Sequence, residues 1–175
     1  WFDLAAQTYR DVWWYYHSLE WTELGKNHHL HPLQKSHIYP IREPLTCLIY
    51  TSSDNIEQIE TLIQSLPNIQ FKISARVMVS DRLKQLLVYP NVTVYAGINY
   101  LVELDQELIE TSQVLLDINH GEKTEEMLDQ FSERGKLILA FENTKYREVG
   151  QITYKVEQVQ EMIEKLREVE EKHGF

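Results

Sequence analysis

The sequence predicts an α/β domain, an open parallel sheet of five strands with helices on both faces. Three observations point there. From Leu45 onward, short apolar runs alternate five times with segments of helical periodicity. The first of these runs, LTCLIY, is continuously apolar, as a parallel strand covered on both faces must be. Helix start and stop residues fall between the runs where such alternation needs them.

The elements follow in order. LTCLIY (45–50) is the first strand. Ser53 or Asp54 can cap a helix carrying Ile56, Ile59, Leu62, Ile63 and Leu66, stopped by Pro67. IQFKIS (69–74) is the second strand, and Ser80 can cap a short helix with Leu83, Leu86 and Leu87. VTVYA (92–96) is the third strand and LVELDQELIE (101–110) a helix. VLLDIN (114–119) is the fourth strand, and EKTEEMLDQFSER (122–134) is a helix that Gly135 ends. KLILAFE (136–142) is the fifth strand. A last helix runs from about Val156 to Lys172, with Val156, Val159, Ile163 and Leu166 on one face. Right-handed crossovers favour a Rossmann-like strand order, 3-2-1-4-5, with the chain direction reversing between strands one and four.

Composition narrows the function. At 175 residues the chain can bury a real core, and its 43% hydrophobic and 25% charged residues suit a globular protein. A formal net charge of −10 argues against nucleic acid or an anionic membrane surface as the main partner. No apolar run reaches the roughly 20 residues of a transmembrane helix. A lone cysteine, Cys47, forbids an intrachain disulfide and fits a cytoplasmic location. The chain opens on Trp1 rather than Met, which suggests processing or, as we prefer, a piece of a longer protein.

Residues 1–24 read as an aromatic helix with a stripe of Phe2, Ala5, Tyr9, Val12, Tyr16 and Leu19. Trp14 and Tyr15 project from other sides of it, so the helix is packed all round or meets another domain or subunit. Residues 25–44 read as a linker loop broken by Pro32, Pro40 and Pro44. Its histidines, His28, His29, His31 and His37, match no familiar zinc spacing, so no metal site is expected. The domain proper is expected over 45–175.

In sheets of this kind, ligands bind beyond the carboxyl ends of the strands, at the reversal. Strand one would end in Thr51, Ser52 and Ser53, and strand four in Asp117, Ile118, Asn119, His120 and Gly121. Strand five would end beside them in Glu142, Asn143, Thr144 and Lys145, and strand two near Arg76. Hydroxyls and N–H groups over 51–53 would open a helix whose N-terminus favours phosphate. Gly121 would allow close backbone approach. Arg76, Lys145 and Arg147 can neutralise a diphosphate, or merely be solvated. Asp117 reads as a structural acceptor for backbone N–H groups around Asn119 to Gly121. The chain carries no GxGxxG after strand one, no GxxxxGK[ST] and no GxSxG.

SSDNIEQIETLIQSLPNIQFKISA, YPNVTVYAGI, LLDINHGE and ILAFENT together resemble the C-terminal half of GT-B glycosyltransferases. More narrowly, they resemble proteins of accessory Sec loci, which glycosylate serine-rich repeat adhesins in the cytoplasm before export. Within that group the resemblance is to the stabilising, chaperone-like subunit of a two-protein O-GlcNAc transferase. The resemblance implies that an N-terminal half of the same protein completes the cleft. It further implies a catalytic transferase subunit and a Ser/Thr-rich acceptor polypeptide as partners, and a location in the cytoplasm or at the inner face of the membrane. No cofactor is required, and UDP or a UDP-sugar such as UDP-GlcNAc is the implied ligand. After Gly121 this chain departs from the family pattern with an acidic run, Glu122-Lys123-Thr124-Glu125-Glu126, and after Thr144 with Lys145-Tyr146. Acidic groups there would repel a diphosphate, which favours the non-catalytic subunit. The alternative is the donor-binding half of an active enzyme. In it, Arg76 and Lys145 would stabilise the leaving diphosphate and Glu142 would orient the sugar or ribose. Asn119, His120 and Gly121 would line the pocket.

Overall fold

The computed structural model describes residues 43–76, 80–96, 102–122 and 125–173. The aromatic helix expected over 1–24 and nearly all of the linker over 25–44 lie outside the described residues.

The described part is a three-layer Rossmann-like domain. Its strands are β1 (Thr46–Thr51), β2 (Gln70–Ala75), β3 (Val92–Ala96), β4 (Val114–Asp117), β5 (Leu137–Phe141) and β6 (Ile152–Tyr154). The helices are α1 (Ile59–Ser65), α2 (Asp81–Gln85), α3 (Val102–Thr111), α4 (Glu125–Glu133) and α5 (Val159–His173). The strand order is β3-β2-β1-β4-β5-β6, and every pairing is parallel. The expected order is therefore present, extended by a sixth strand.

That sixth strand corrects the five-strand reading. Only three residues long, β6 pairs Leu139 with Ile152 and Phe141 with Tyr154. The connection from β5 holds no helix, so neither strand length nor alternation marked it.

Alternation along the strands divides the core. Cys47, Ile49, Phe71, Ile73, Leu116, Leu139 and Phe141 face α1, α2 and α5. Leu48, Leu115 and Ile138 face α3 and α4, where Leu108, Ile109, Met127, Leu128 and Phe131 meet them. The expected stops and caps at two helices are in place. Ser80 Oγ accepts the Leu83 N–H at the start of α2, and Gly135 adopts φ +63° after α4. Among the described residues, no helix is long and apolar enough to cross a membrane.

Candidate functional site

Because all strands run one way, the ends of β1, β4 and β5 form one rim. Two loops on it are stitched together by backbone. Ile56 and Asn119 form an isolated antiparallel bridge. Beside it the Glu57 N–H donates to Ile118 O (2.7 Å) and the His120 N–H to Asn55 O (2.9 Å).

This stitching overturns the expected cap at Ser53 or Asp54. The Thr51 hydroxyl donates to Ser53 O (2.6 Å) and accepts the Ser53 N–H (3.0 Å), while Ser53 Oγ accepts the Asn55 N–H (3.0 Å). These side-chain turns compete with helix formation. Ile56 is drawn to the bridge, and α1 starts only at Ile59, after Gln58 at φ +52°. The helix has seven residues and does not open on Thr51–Ser53, so the phosphate-binding N-terminus expected there does not form. Ser52 Oγ donates across the rim to Glu122 O (2.9 Å).

Asn119 holds the next loop. Its side-chain amide donates to Tyr50 O (3.0 Å) and its oxygen accepts the Gly121 N–H (2.9 Å). This is the role expected of Asp117. The Asp117 carboxylate accepts the Tyr146 N–H (2.9 Å), tying the β5–β6 loop to β4. Asp117 is thus a structural acceptor for a backbone N–H, but one 29 residues away. Thr144, buried, donates its hydroxyl to Asp117 O (2.8 Å).

Gly121 is where loop and strand end meet most closely. A Cβ there would lie 2.9 Å from the Ser53 nitrogen and nearer still to Ser52 Oγ. Since the obstacle includes backbone, Gly121→Ala is expected to destabilise the domain by about 1–3 kcal/mol, an overpacking cost. A urea unfolding curve checks it, and an unchanged midpoint would contradict the tight approach.

Glu57 escaped sequence reasoning, because at that position it reads as the solvent face of a helix. Its Oε2 lies 2.8 Å from His120 Nε2 and accepts from Asn143 Nδ2 (2.9 Å), so one carboxylate joins three loops. The His120 hydrogen bond holds the Glu57 carboxyl below its ordinary range; the Asn143 bond adds to this and burial opposes it. A lowered folded pKa contributes stability that is complete above the ordinary glutamate value of 4.5 and is lost as pH falls through the lowered value. Stability of Glu57→Gln should therefore fall less steeply than wild type below that range, as urea midpoints taken stepwise in pH would show. Glu142 is exposed, and its N–H donates to Tyr154 O (2.8 Å).

The cations read as diphosphate partners hold other groups. Lys145 Nζ meets Glu148 at 2.6 Å, and Arg147 meets Asp129 at 2.7 Å. Arg76 stacks on the Tyr50 ring, 4.8 Å from its centroid, on the α3–α4 side of the sheet. There it borders a cavity of about 130 Å³ with Asp105, Gln106, Glu126 and Gln130 over a floor of Ile109 and Met127. Burial pushes the Asp105 carboxyl up, which Arg76 opposes and Glu126 reinforces. The structure thus gathers Thr51, Ser52, Ser53, Asn119, His120, Gly121, Asn143 and Thr144 on one rim; Arg76 joins it through its N–H, which donates to Thr51 O (2.9 Å), while its side chain turns to the α3–α4 side. Among the described residues, no three His, Cys, Asp or Glu side chains cluster as a metal site would require.

Comparison with known proteins fits this architecture. Residues 47–174 match the family model described as the GftB/GlyA-F C-terminal domain. Glycosyltransferase GlyA of Streptococcus pneumoniae is 77% identical over 169 residues, covering 97% of this chain and 24% of that protein. The stabilising protein GtfB of a UDP-N-acetylglucosamine–peptide N-acetylglucosaminyltransferase, from the same species, is 40% identical over 97 residues, covering 55% of this chain and 21% of that protein. The crystal structure of glycosyltransferase GlyE from S. pneumoniae superposes with a TM-score of 0.65 at 30% identity, over 91% of this chain and 40% of that one. That of the GtfA/B complex bound to UDP and GlcNAc superposes with a TM-score of 0.63 at 33% identity, over 71% of this chain and 28% of that one. The chain spans about a quarter of GlyA and about a fifth of GtfB. With the model match running through the whole sheet and α5, this chain belongs to the GftB/GlyA-F C-terminal domain family.

Proposed function

We propose that this chain is a non-catalytic C-terminal domain of a bacterial protein O-glycosylation system. It stabilises a transferase and binds the Ser/Thr-rich stretch of its acceptor, with serine-rich surface adhesins as the acceptor class and the cytoplasm as the setting. The observation that carries this reading is the state of the rim. Lys145 and Arg147 are engaged with Glu148 and Asp129, and the hydroxyls of Thr51 and Ser52 are spent on loop backbone. A diphosphate would have to break such pairs to gain its counter-charges. The 40% identity to a protein named as a stabilising subunit agrees with this.

The donor-binding alternative has two observations in its favour, the 77% identity to a protein named as a glycosyltransferase and the likeness to a complex bound to UDP and GlcNAc. Calorimetry separates the two. The proposal expects no heat from UDP or UDP-GlcNAc at millimolar concentration, and saturable binding of a Ser/Thr-rich peptide. Saturable UDP binding with no peptide binding would overturn it. Mixing the parent protein with a catalytic subunit should raise transfer to that peptide, and unchanged transfer and unchanged subunit stability would also count against it.

A further inference from the structure

The rim carries a histidine whose protonation pattern is dictated by its neighbours. Glu57 Oε2 is approached by two nitrogens, His120 Nε2 at 2.8 Å and Asn143 Nδ2 at 2.9 Å. The Asn143 amide nitrogen can only donate. An oxygen accepting one charge-assisted bond and facing a second nitrogen at that distance is most stable ionised, as an acceptor of both. The proton between the ring and the carboxylate then sits on Nε2. In a neutral ring that leaves Nδ1 as the acceptor, and Nδ1 has no hydrogen-bond partner among the described residues.

The loops that carry the pair are also joined. The Glu57 N–H donates to Ile118 O and the His120 N–H to Asn55 O, which keeps the backbones of the two residues side by side. The residue after Glu57, Gln58, takes the left-handed conformation at φ +52°, which costs a non-glycine residue about 1 kcal/mol and persists where the surroundings impose it. The His120 side chain keeps 29% of its surface exposed, so the ring is reachable from solvent.

We infer that Glu57 is a positioning residue that fixes His120 as the Nε2–H tautomer, so that Nδ1 binds a neutral hydroxyl donor at the rim. The ligand chemistry is a hydroxyl rather than an anion, because an anion would face an acceptor nitrogen backed by a carboxylate. The hydroxyl has two possible sources, a Ser or Thr side chain or a sugar hydroxyl. The ligand half of the inference rests on the acceptor-binding reading above; the tautomer half does not.

Nuclear magnetic resonance tests both halves on the full 175-residue chain. Long-range proton–nitrogen spectra at about pH 8, where imidazole is neutral, report the tautomer of each ring, and His120→Gln identifies the signals. The expected result is Nε2–H at His120 in the wild type and a gain of Nδ1–H in Glu57→Gln. An Nδ1–H ring in the wild type overturns the inference, whether or not the variant folds. Separate samples then receive a Ser/Thr-rich peptide, UDP-GlcNAc or inorganic phosphate. A saturable shift of Nδ1 with the peptide supports a side-chain hydroxyl, and Glu57→Gln should weaken that binding on the order of tenfold, one hydrogen bond's worth. A shift with UDP-GlcNAc and not phosphate supports a sugar hydroxyl and counts against the acceptor reading. Peptide binding that leaves Nδ1 unmoved sinks this inference while the acceptor reading stands. A shift with phosphate alone, or with none of the three, also overturns it.

Discussion

Replacing Asn91 with alanine should destabilise the domain by about 3 kcal/mol, the upper end of what leaving buried polar groups unsatisfied costs. Asn91 is 4% exposed and its amide nitrogen lies 3.3, 3.1 and 3.2 Å from the carbonyls of Ile63, Leu66 and Ile69. These are carbonyls of the last turn of α1, the residue after it, and the entry to β2. Carbonyls at a helix C-terminus lack intrahelical partners, and of these Leu66 O also accepts the Ile69 N–H (3.2 Å). Meanwhile Asn91 O accepts the Phe71 N–H (2.8 Å), so one residue ties α1, β2 and β3 together. Alanine would remove the amide donor from all three carbonyls in a buried site, leaving Leu66 O only the Ile69 N–H. Asn91→Asp, nearly identical in shape, should be no better and is expected to be worse, since it sets a carboxylate against three acceptors. Urea unfolding of both variants checks this. Should aspartate match wild type, the amide donor would not be what matters.

Asn91 also shows why the sequence was more readable for fold than for site. YPNV carried the family resemblance, yet nothing local says that its asparagine closes a helix 25 to 28 residues upstream. The strands were legible because burial on both faces leaves an uninterrupted apolar run. β6 was not, since an edge strand of three residues with Ile152 39% exposed has no such run. At the rim the polar residue types were legible and their partners were not. Thr51 and Ser53 look like ligand hydroxyls, but they close local turns. His120 meets Glu57 across 63 residues of sequence, and Asn143 meets it across 86. The usable hint was the apolar Ile56 one position before Glu57. A residue that must be buried ahead of the helix pulls its neighbour to the rim.

The second large effect is expected at Phe131, where alanine should cost about 3–5 kcal/mol, the usual range for emptying a buried aromatic site. Phe131 is fully buried among Leu48, Leu108, Ile109, Leu115, Met127, Leu128 and Ile138, the smaller of the two core clusters. Lys136 lies 5.6 Å from its ring centroid while its ammonium group donates to the Glu110 (3.0 Å) and Ser112 (2.7 Å) carbonyls at the end of α3. Losing the ring therefore loosens α4 and the end of α3 together. The question is whether that layer would melt alone. Leu48, Leu115 and Ile138 alternate along their strands with Cys47, Ile49, Leu116 and Leu139, which hold the opposite layer. Strands shared in this way couple the two faces, so a single transition at lower urea is expected rather than two. Circular dichroism and amide exchange should give the same lowered midpoint for strand and helix residues. Exchange of α3 and α4 amides well before those of β1 and β4 would show instead that the α3–α4 layer, with the Tyr50–Arg76 cavity it borders, opens as a unit of its own.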